Sequence, residues 1–477
     1  MSSPSVEESE GEDSLSPDFD ATLCAALYNR IVHIGFDGSH RSQSNERITR
    51  NWFEVHRDDP RIAQCHEIIP ESLASFLRQA DIIVDEETGR PSTTTALVHH
   101  LQPLPCPEVM LSYFDMSDWE AMHEYTIILP DNNTDKDCDG VIMHLADLSV
   151  CYLRNSYDLN PGMPDDMDTT RWFDFQEVLM RLNFIVEVGK YRPVPRPLPE
   201  AEYNSLLDDT KSWEVVPWND LILKETIDAW DGLVEAITAR LPRAESGSDD
   251  RPSLAEQPPI ADDSLTEEVK GFPRAFLTAA KRPLFKDIAP GLTIYDPAHP
   301  VPVPKALTPQ TLTYNTPNPD LAVTIANHDA LILFPADREQ PNSETVVGTD
   351  VGLWICPDEG WADTVRLSLP YALPFYFDHT GHRFDRRSYG TQLWQHGDCP
   401  FFTQHSTRLV TLLSRWKELV EDGIWAVGSD GVEGGLEFYR QAEDPEKKGW
   451  FYLEEPCFGF EVSGVEIGGL DQFVEDY

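Results

Sequence analysis

Residues 243–268, RAESGSDDRPSLAEQPPIADDSLTEE, are polar, acidic and interrupted by proline. A stretch with so little apolar surface cannot offset the entropy of becoming ordered. It is therefore expected to be a disordered acidic linker that divides the 477-residue chain into two folded parts, 18–242 and 269–477. Residues 1–17 share its composition and are expected to form a disordered acidic tail, in which Ser5 and Ser9 each have Glu three positions on, a context acidophilic kinases accept. A solubilising role is the plainer reading of that tail.

The two halves differ in pattern. In the first, DATLCAALYNRIVHIGF (20–36), PESLASFLRQADII (70–83) and DFQEVLMRLNFIVEVGKY (174–191) read as helices, the last ending near Gly189. The clearest helix lies just before the linker, where Leu223, Ile227, Trp230, Val234, Ile237 and Leu241 recur at spacings of three and four. Asn219 is placed to cap its start and Pro242 to end it. Few stretches here alternate cleanly enough to be strands. In the second half LTIYD, LAVTIAN, ALILFPA, VVGTDVGLWICP and TVRLSLPYALP are β-rich runs separated by Pro, Asn, Asp and Gly, followed by one amphipathic helix over 406–420. The expected fold class is α+β, with a helix-rich N-terminal part and a β-richer C-terminal part. RPVPRPLPE (192–200) and HPVPVPK (299–305) read as extended proline spacers. GVEGGLEFYRQAED from Gly431 is loosely echoed by GVEIGGLDQFVED from Gly464, and both read as a glycine turn before a short acidic helix.

The chain carries 83 acidic and 37 basic side chains, a formal charge of −46. Such a surface repels phosphate backbones and anionic headgroups, which argues against nucleic acid or membrane as partner and leaves basic proteins or cations open. The first twenty residues hold seven acids and no Lys or Arg, unlike a secretory or organellar leader. The eight cysteines are scattered without a C-x-x-C pair, which suits a reducing cytoplasmic or nuclear compartment.

Two stretches carry candidate chemistry. DNNTDKDCDGVIMHL (131–145) places Asp135, Asp137, Asp139 and Gly140 as an EF-hand loop would, with Ile142 at its usual apolar position. The twelfth position, where a bidentate Glu belongs, is Ala146, and Asp147 falls one residue late. The preceding EYTIILP reads as a strand where an EF-hand needs a helix. A hairpin turn at Asp139-Gly140 is therefore preferred to a calcium loop.

FDHTGHRFDRRSYGTQLWQHGDCPFFTQH (377–405) gathers four of the fourteen histidines, together with Asp378, Asp385, Asp398 and Cys399. His379 and His382, with His396 or Asp398 as third ligand, could hold a divalent metal. Between Asp378 and Arg408 there are three acids and four arginines, Arg383, Arg386, Arg387 and Arg408, so this stretch is locally positive and could hold an anion or dock the protein's own acidic segments; the latter needs no further partner. The sequence contains no G-x-S-x-G, no P-loop and no G-x-G-x-x-G. His328-Asp329 leads into a strand-like run, and His99-His100 are adjacent, so neither pair suggests a ligand set.

The reading that follows is a non-catalytic interaction or regulatory protein with a protein partner, the alternative being a metal-dependent hydrolase built on His379, His382, His396 and Asp398. Elemental analysis of the purified protein separates them. The first predicts no stoichiometric metal; one equivalent of bound zinc or iron, lost in His379→Ala and His382→Ala, would establish the second.

Overall fold

The structure is a computed structural model that describes residues 19–39, 45–92, 97–98, 101–115, 123–130, 140–153, 172–194, 213–242, 258–299, 331–336, 351–355, 361–377, 383–393, 397–399, 402–405 and 407–453; for 115, 376–377, 383–392, 397–399 and 402–405 it describes backbone alone. The chain is α+β and divides into two compact units, Met1–Glu187 with Pro193–Trp213 and Gly464–Tyr477, and Val188–Arg192 with Glu214–Ser463. The helix before the presumed linker thus belongs to the second unit, not the first. Among the described residues, no helix is long and apolar enough to cross a membrane.

The first unit opens with α1 (Ala21–Gly38), capped by Asp20, whose carboxylate accepts from the N–H groups of Thr22 at 3.0 Å and Leu23 at 2.9 Å. It continues with β1 (Glu46–Arg50), α2 (Trp52–Val55), α3 (Ile62–Ile68), α4 (Glu71–Gln79), β2 (Asp81–Asp85) and α5 (Pro107–Met110). Every residue of α1 from Cys24 to Val32 is buried, so this helix is surrounded by the rest of its unit, with α4 and α6 (Phe175–Glu187) packed against it.

Polar side chains so placed need partners. Asn29 donates to the Gln79 carbonyl at 2.9 Å and accepts from the Asp81 N–H at 2.8 Å, fastening α1 where α4 passes into β2. Arg30 donates to Asn183 at 2.9 Å and pairs with Glu187, while Asn183 donates to the carbonyls of Leu27 and Leu179, fastening α1 to α6.

Strands β1 and β2 pair antiparallel, and β3 (Tyr125–Leu129), β4 (Gly140–His144), β5 (Ser149–Leu153) and β6 (Phe173–Asp174) form an antiparallel sheet in chain order. Strand β7 (Tyr191–Pro193) and strand β8 (Trp213–Val215) fall where the chain passes between units.

The second unit comprises α7 (Asp220–Arg240), α8 (Gly271–Ala279), β9 (Asp287–Ala289), β10 (Leu292–Thr293), β11 (Leu331–Pro335), β12 (Gly352–Ile355), β13 (Val365–Phe377), β14 (Arg383–Gln392), β15 (Gly397–Cys399), β16 (Phe402–His405), α9 (Leu409–Glu421), β17 (Val427–Gly428) and β18 (Gly431–Val432). Strands β11 to β14 form an antiparallel sheet in chain order, and a second sheet runs β10-β9-β18-β17. Gly431 has φ +119°, and a Cβ there would stand 2.1 Å from the Asp287 carbonyl oxygen, so the parallel approach of β18 to β9 requires glycine.

Aromatic rings join the helices to the sheet. Trp230 of α7 stacks on Phe334 of β11 at 5.6 Å and meets Phe276 of α8 edge-on at 5.8 Å, while its Nε1 donates to the Lys281 carbonyl at 2.9 Å. Phe334 also meets Trp416 of α9 at 5.9 Å, and Trp416 meets Trp425 at 5.6 Å.

Several expectations change. The run 70–83 is a helix only to Gln79; Asp81–Asp85 is β2, buried at four of its five positions and so without alternation. The buried face of α7 is Ile222, Thr226, Trp230, Leu233, Val234, Ala236 and Ile237, broader than the expected stripe and turned from Leu223 and Ile227, because α8 and α9 both pack on it. Part of the presumed linker is ordered: over 258–268 Asp262 receives Arg274 at 2.8 Å and Pro259 bridges Lys281. Residues 243–257 and the tail 1–17 lie outside the described residues. The stretch taken as a polar loop, 377–405, contributes β14, β15 and β16. The segment after Gly435 is a 3-10 helix, Leu436–Glu443, and its proposed echo from Gly464 lies outside the described residues.

His56, which follows α2, has a buried ring whose Nε2 has no hydrogen-bond partner and which lies 4.9 Å from the Trp52 ring. Burial lowers its pKa to about 4, against a small opposing pull from Asp59. The unfolded imidazole takes its proton near pH 6.5. The stability that His56 contributes is therefore complete above that pH and is lost as pH falls toward 4. Chemical denaturation at pH 7 and 5 should show the wild type losing about 2 kcal/mol relative to His56→Leu over that interval. Parallel pH profiles for the two proteins would contradict this.

Candidate functional site

His379, His382 and His396, and Asp135, Asp137 and Asp139, lie outside the described residues. Asp398 lies in β15, which pairs with β16 (Gly397↔His405), and Arg383, Arg386 and Arg387 lie in β14, where Arg383 is opposite Phe377 of β13. The antiparallel pairing of β3 with β4 places strands on both sides of the aspartate run, not helices. Asp139, on which the expected Asp139-Gly140 turn depends, lies outside the described residues. Strand β3 ends at Leu129 and Gly140 already pairs with Leu153, so ten residues separate β3 from β4.

Arg408 is the one arginine of the positive stretch whose side chain is described, and it is almost wholly buried. Its Nε donates to Asp363 at 2.9 Å and its Nη2 lies 3.5 Å from Glu225 of α7. Its guanidinium carbon stands 4.2 Å from the centroid of the Trp361 ring, and Lys190 Nζ stands 3.7 Å from the same ring. Lys190 also donates to the carbonyls of Val216 at 2.9 Å and Pro217 at 3.2 Å.

Two cations, two carboxylates and an indole thus balance one another inside the second unit. The arginine docks the protein's own acids. Removing one member of such a cluster strands its partner's charge. Arg408→Ala should therefore lower the unfolding free energy by about 3–5 kcal/mol, and Arg408→Met with Asp363→Leu should cost much less. Equal losses in urea denaturation would contradict that assignment.

In the first unit, Asp81 is shared by His33, with Nε2 at 3.0 Å, and Arg50, with Nε at 3.0 Å, and this pins α1 to the β1–β2 pair. A further polar constellation lies at one end of the β3–β6 sheet. Register places Tyr125 directly opposite His144, and Trp172 immediately precedes β6. Tyr125 and Trp172 are stacked at 5.7 Å with 21° between planes, the Tyr125 and His144 rings are 5.3 Å apart, and His144 meets Trp172 at 6.1 Å and 64°. Tyr125 and Trp172 are only partly buried and pack against an inner cluster of Tyr113, Ile127, Ile142, Cys151 and Leu153.

Two carboxylates border the rings: Asp147 accepts at 2.9 Å from His144 Nδ1, and Glu124 lies 3.6 Å from Nε2. The turn between β4 and β5 sets Asp147 in place. Leu148 adopts φ +59° with its side chain buried, and Asp147 accepts from the Ser149 N–H at 3.0 Å and hydroxyl at 2.7 Å. Burial, then Glu124, and in smaller part Cys151 and Asp147, raise the Tyr125 hydroxyl above its usual pKa, so the carboxylates are felt at the ring.

This group was missed in the sequence because its members are far apart along the chain. The signal that could have found it is the β3–β4 register, which brings Tyr125 opposite His144. Among the described residues, no group of three or more His, Cys, Asp or Glu is arranged to hold a metal ion. No family model, curated protein or solved structure matches the chain.

Proposed function

We propose that this protein acts by binding a basic protein partner, as an interaction or regulatory factor and not as a catalyst. The observation that carries this reading is the charge of −46 together with how the basic side chains are used. Arg30, Arg50, Arg78, Arg181, Lys224, Arg274, Lys281, Arg408, Arg415 and Arg440 each pair with a carboxylate of their own unit. These ten cations are engaged internally, and over the whole sequence acids outnumber basic side chains more than twofold. What remains is a negative field that attracts polycations and repels phosphates and anionic lipids.

A reducing compartment, cytoplasmic or nuclear, suits the same reading. Cys24, Cys65 and Cys106 are free thiols, and burial raises Cys65 to about 11, which keeps it protonated and unreactive.

Titration calorimetry with an oligolysine peptide tests the proposal. Binding should be evident at low salt and weaken by roughly tenfold or more once the Debye length falls to ~8 Å near physiological ionic strength. Oligoglutamate should not bind. Absence of oligolysine binding at low salt would overturn the reading.

A further inference from the structure

The acidic segment that leads into α8 presents a serine hydroxyl to solvent among four carboxylates. We propose that Ser264, in the 3-10 turn Asp262–Ser264, is a phosphorylation site for an acidophilic protein kinase, with ATP as the phosphoryl donor.

The first support is the chemistry of the flanks. Around the serine the chain reads ADDSLTEEV (261–269), so Asp262 and Asp263 precede it and Glu267 and Glu268 stand three and four positions on. A kinase whose substrate groove is lined with Lys and Arg reads such a set through charge-assisted hydrogen bonds to the carboxylates. Residues 258–269 contain neither Lys nor Arg, and Leu265 follows the serine where a proline-directed kinase needs proline. Kinases that read basic residues or a following proline therefore find nothing to recognise here.

The second is access. Ser264, Asp262, Asp263, Glu267 and Glu268 are all exposed, and Leu265 between them is buried and anchors the turn. The Ser264 hydroxyl donates to the Ala261 carbonyl at 2.6 Å, a local contact that a kinase's base replaces. Thr266 is a poorer acceptor, because the residue three positions on is Val269, which is buried.

The third is how lightly the turn is held. Its backbone bonds are local: the N–H groups of Ser264, Leu265 and Val269 donate to the carbonyls of Ala261 at 3.0 Å, Asp262 at 3.3 Å and Thr266 at 3.2 Å. Arg274 of α8 supplies the longer ties, its Nε donating to the Asp262 carboxylate at 2.8 Å, its Nη2 to the Asp262 carbonyl at 2.9 Å and its Nη1 to the carbonyls of Val269 at 3.0 Å and Thr266 at 3.2 Å. A surface turn tied through one side chain opens locally while the helices and sheets stay folded, and so can enter a kinase groove in extended form.

In the transfer, Ser264 Oγ bonds to the γ-phosphorus of ATP as the bond from that phosphorus to the β–γ bridging oxygen breaks. ADP leaves with the electron pair, and the hydroxyl proton passes to the carboxylate base of the kinase. The product adds about −1.5 to −2 charges at neutral pH. The site does not depend on the basic-partner reading, although the added charge acts in the same direction.

The test incubates the purified full chain with an acidophilic casein kinase and magnesium-ATP and locates phosphate by tandem mass spectrometry. Phosphate should appear on Ser264 and be absent from the same peptide of Ser264→Ala. Glu267→Gln should lower the initial rate at Ser264 by roughly tenfold, and Arg274→Ala, which releases the turn, should raise it. Melting curves would verify that the variants fold, and the mapped phosphate of the wild type is independent of them. Absence of phosphate at Ser264 after prolonged incubation, phosphate on Thr266 in its place, or a folded Glu267→Gln within about twofold of the wild-type rate would overturn the site. An unchanged rate in folded Arg274→Ala would contradict the opening step. None of these outcomes bears on oligolysine binding, so the site and the partner reading fail separately.

Discussion

Mutual repulsion of surplus carboxylates is the constraint to which the rest of this structure answers. A formal charge of −46 on 477 residues favours expansion of the chain, and close packing of each unit must outweigh it. The described cations act locally against this load. Arg274 holds Asp262 beside α8, Lys281 holds Asp231 on α7, and Arg408 is buried between Asp363 and Glu225. Exposed pairs contribute little each. The Arg408 cluster differs because its charges are withdrawn from water, so a break in it costs far more than its formation contributes.

Apolar contact supplies the larger share of cohesion, and each unit arranges it differently. In the first unit one helix, α1, is buried over nine consecutive residues, and Asn29, Arg30 and Asn183 hold its neighbours to it through fully specified hydrogen bonds. In the second, three helices converge on Phe334 and Trp230, and the ring contacts run on through Trp416 to Trp425. Trp230 combines a large buried ring with an N–H that reaches the Lys281 carbonyl, so one side chain both fills the core and fastens the end of α8.

What could be read from the sequence followed from local rules. The starts of α1 and α7 were legible because Asp20 and Asn219 are capping residues whose bonds form within one turn. The end of α6 was legible from Gly189, which has φ +70°. The passage from α4 into β2 was not, because Ile82 to Val84 are consecutive apolar residues and a strand buried on both faces shows no period of two. Strand β14 was hidden by its polar composition, RFDRRSYGTQ, which resembles a loop when judged residue by residue. The ring cluster of Tyr125, His144 and Trp172 was invisible for a different reason. Its three aromatic members become neighbours only through strand register, which depends on contacts distant in sequence. Asp147 attracted notice only as a near miss for calcium; its structural role is to cap the β4–β5 turn beside His144.

The same excess of acid that opposes folding is what a basic partner would relieve, so stability and binding are linked through one quantity. Thermal unfolding measured across a sodium chloride series at constant pH tests this most directly. The melting temperature should climb steadily as salt screens the self-repulsion, and oligolysine added at the lowest salt should raise it in the same direction. A melting temperature that stays flat or falls with added salt, and does not respond to oligolysine, would contradict the account.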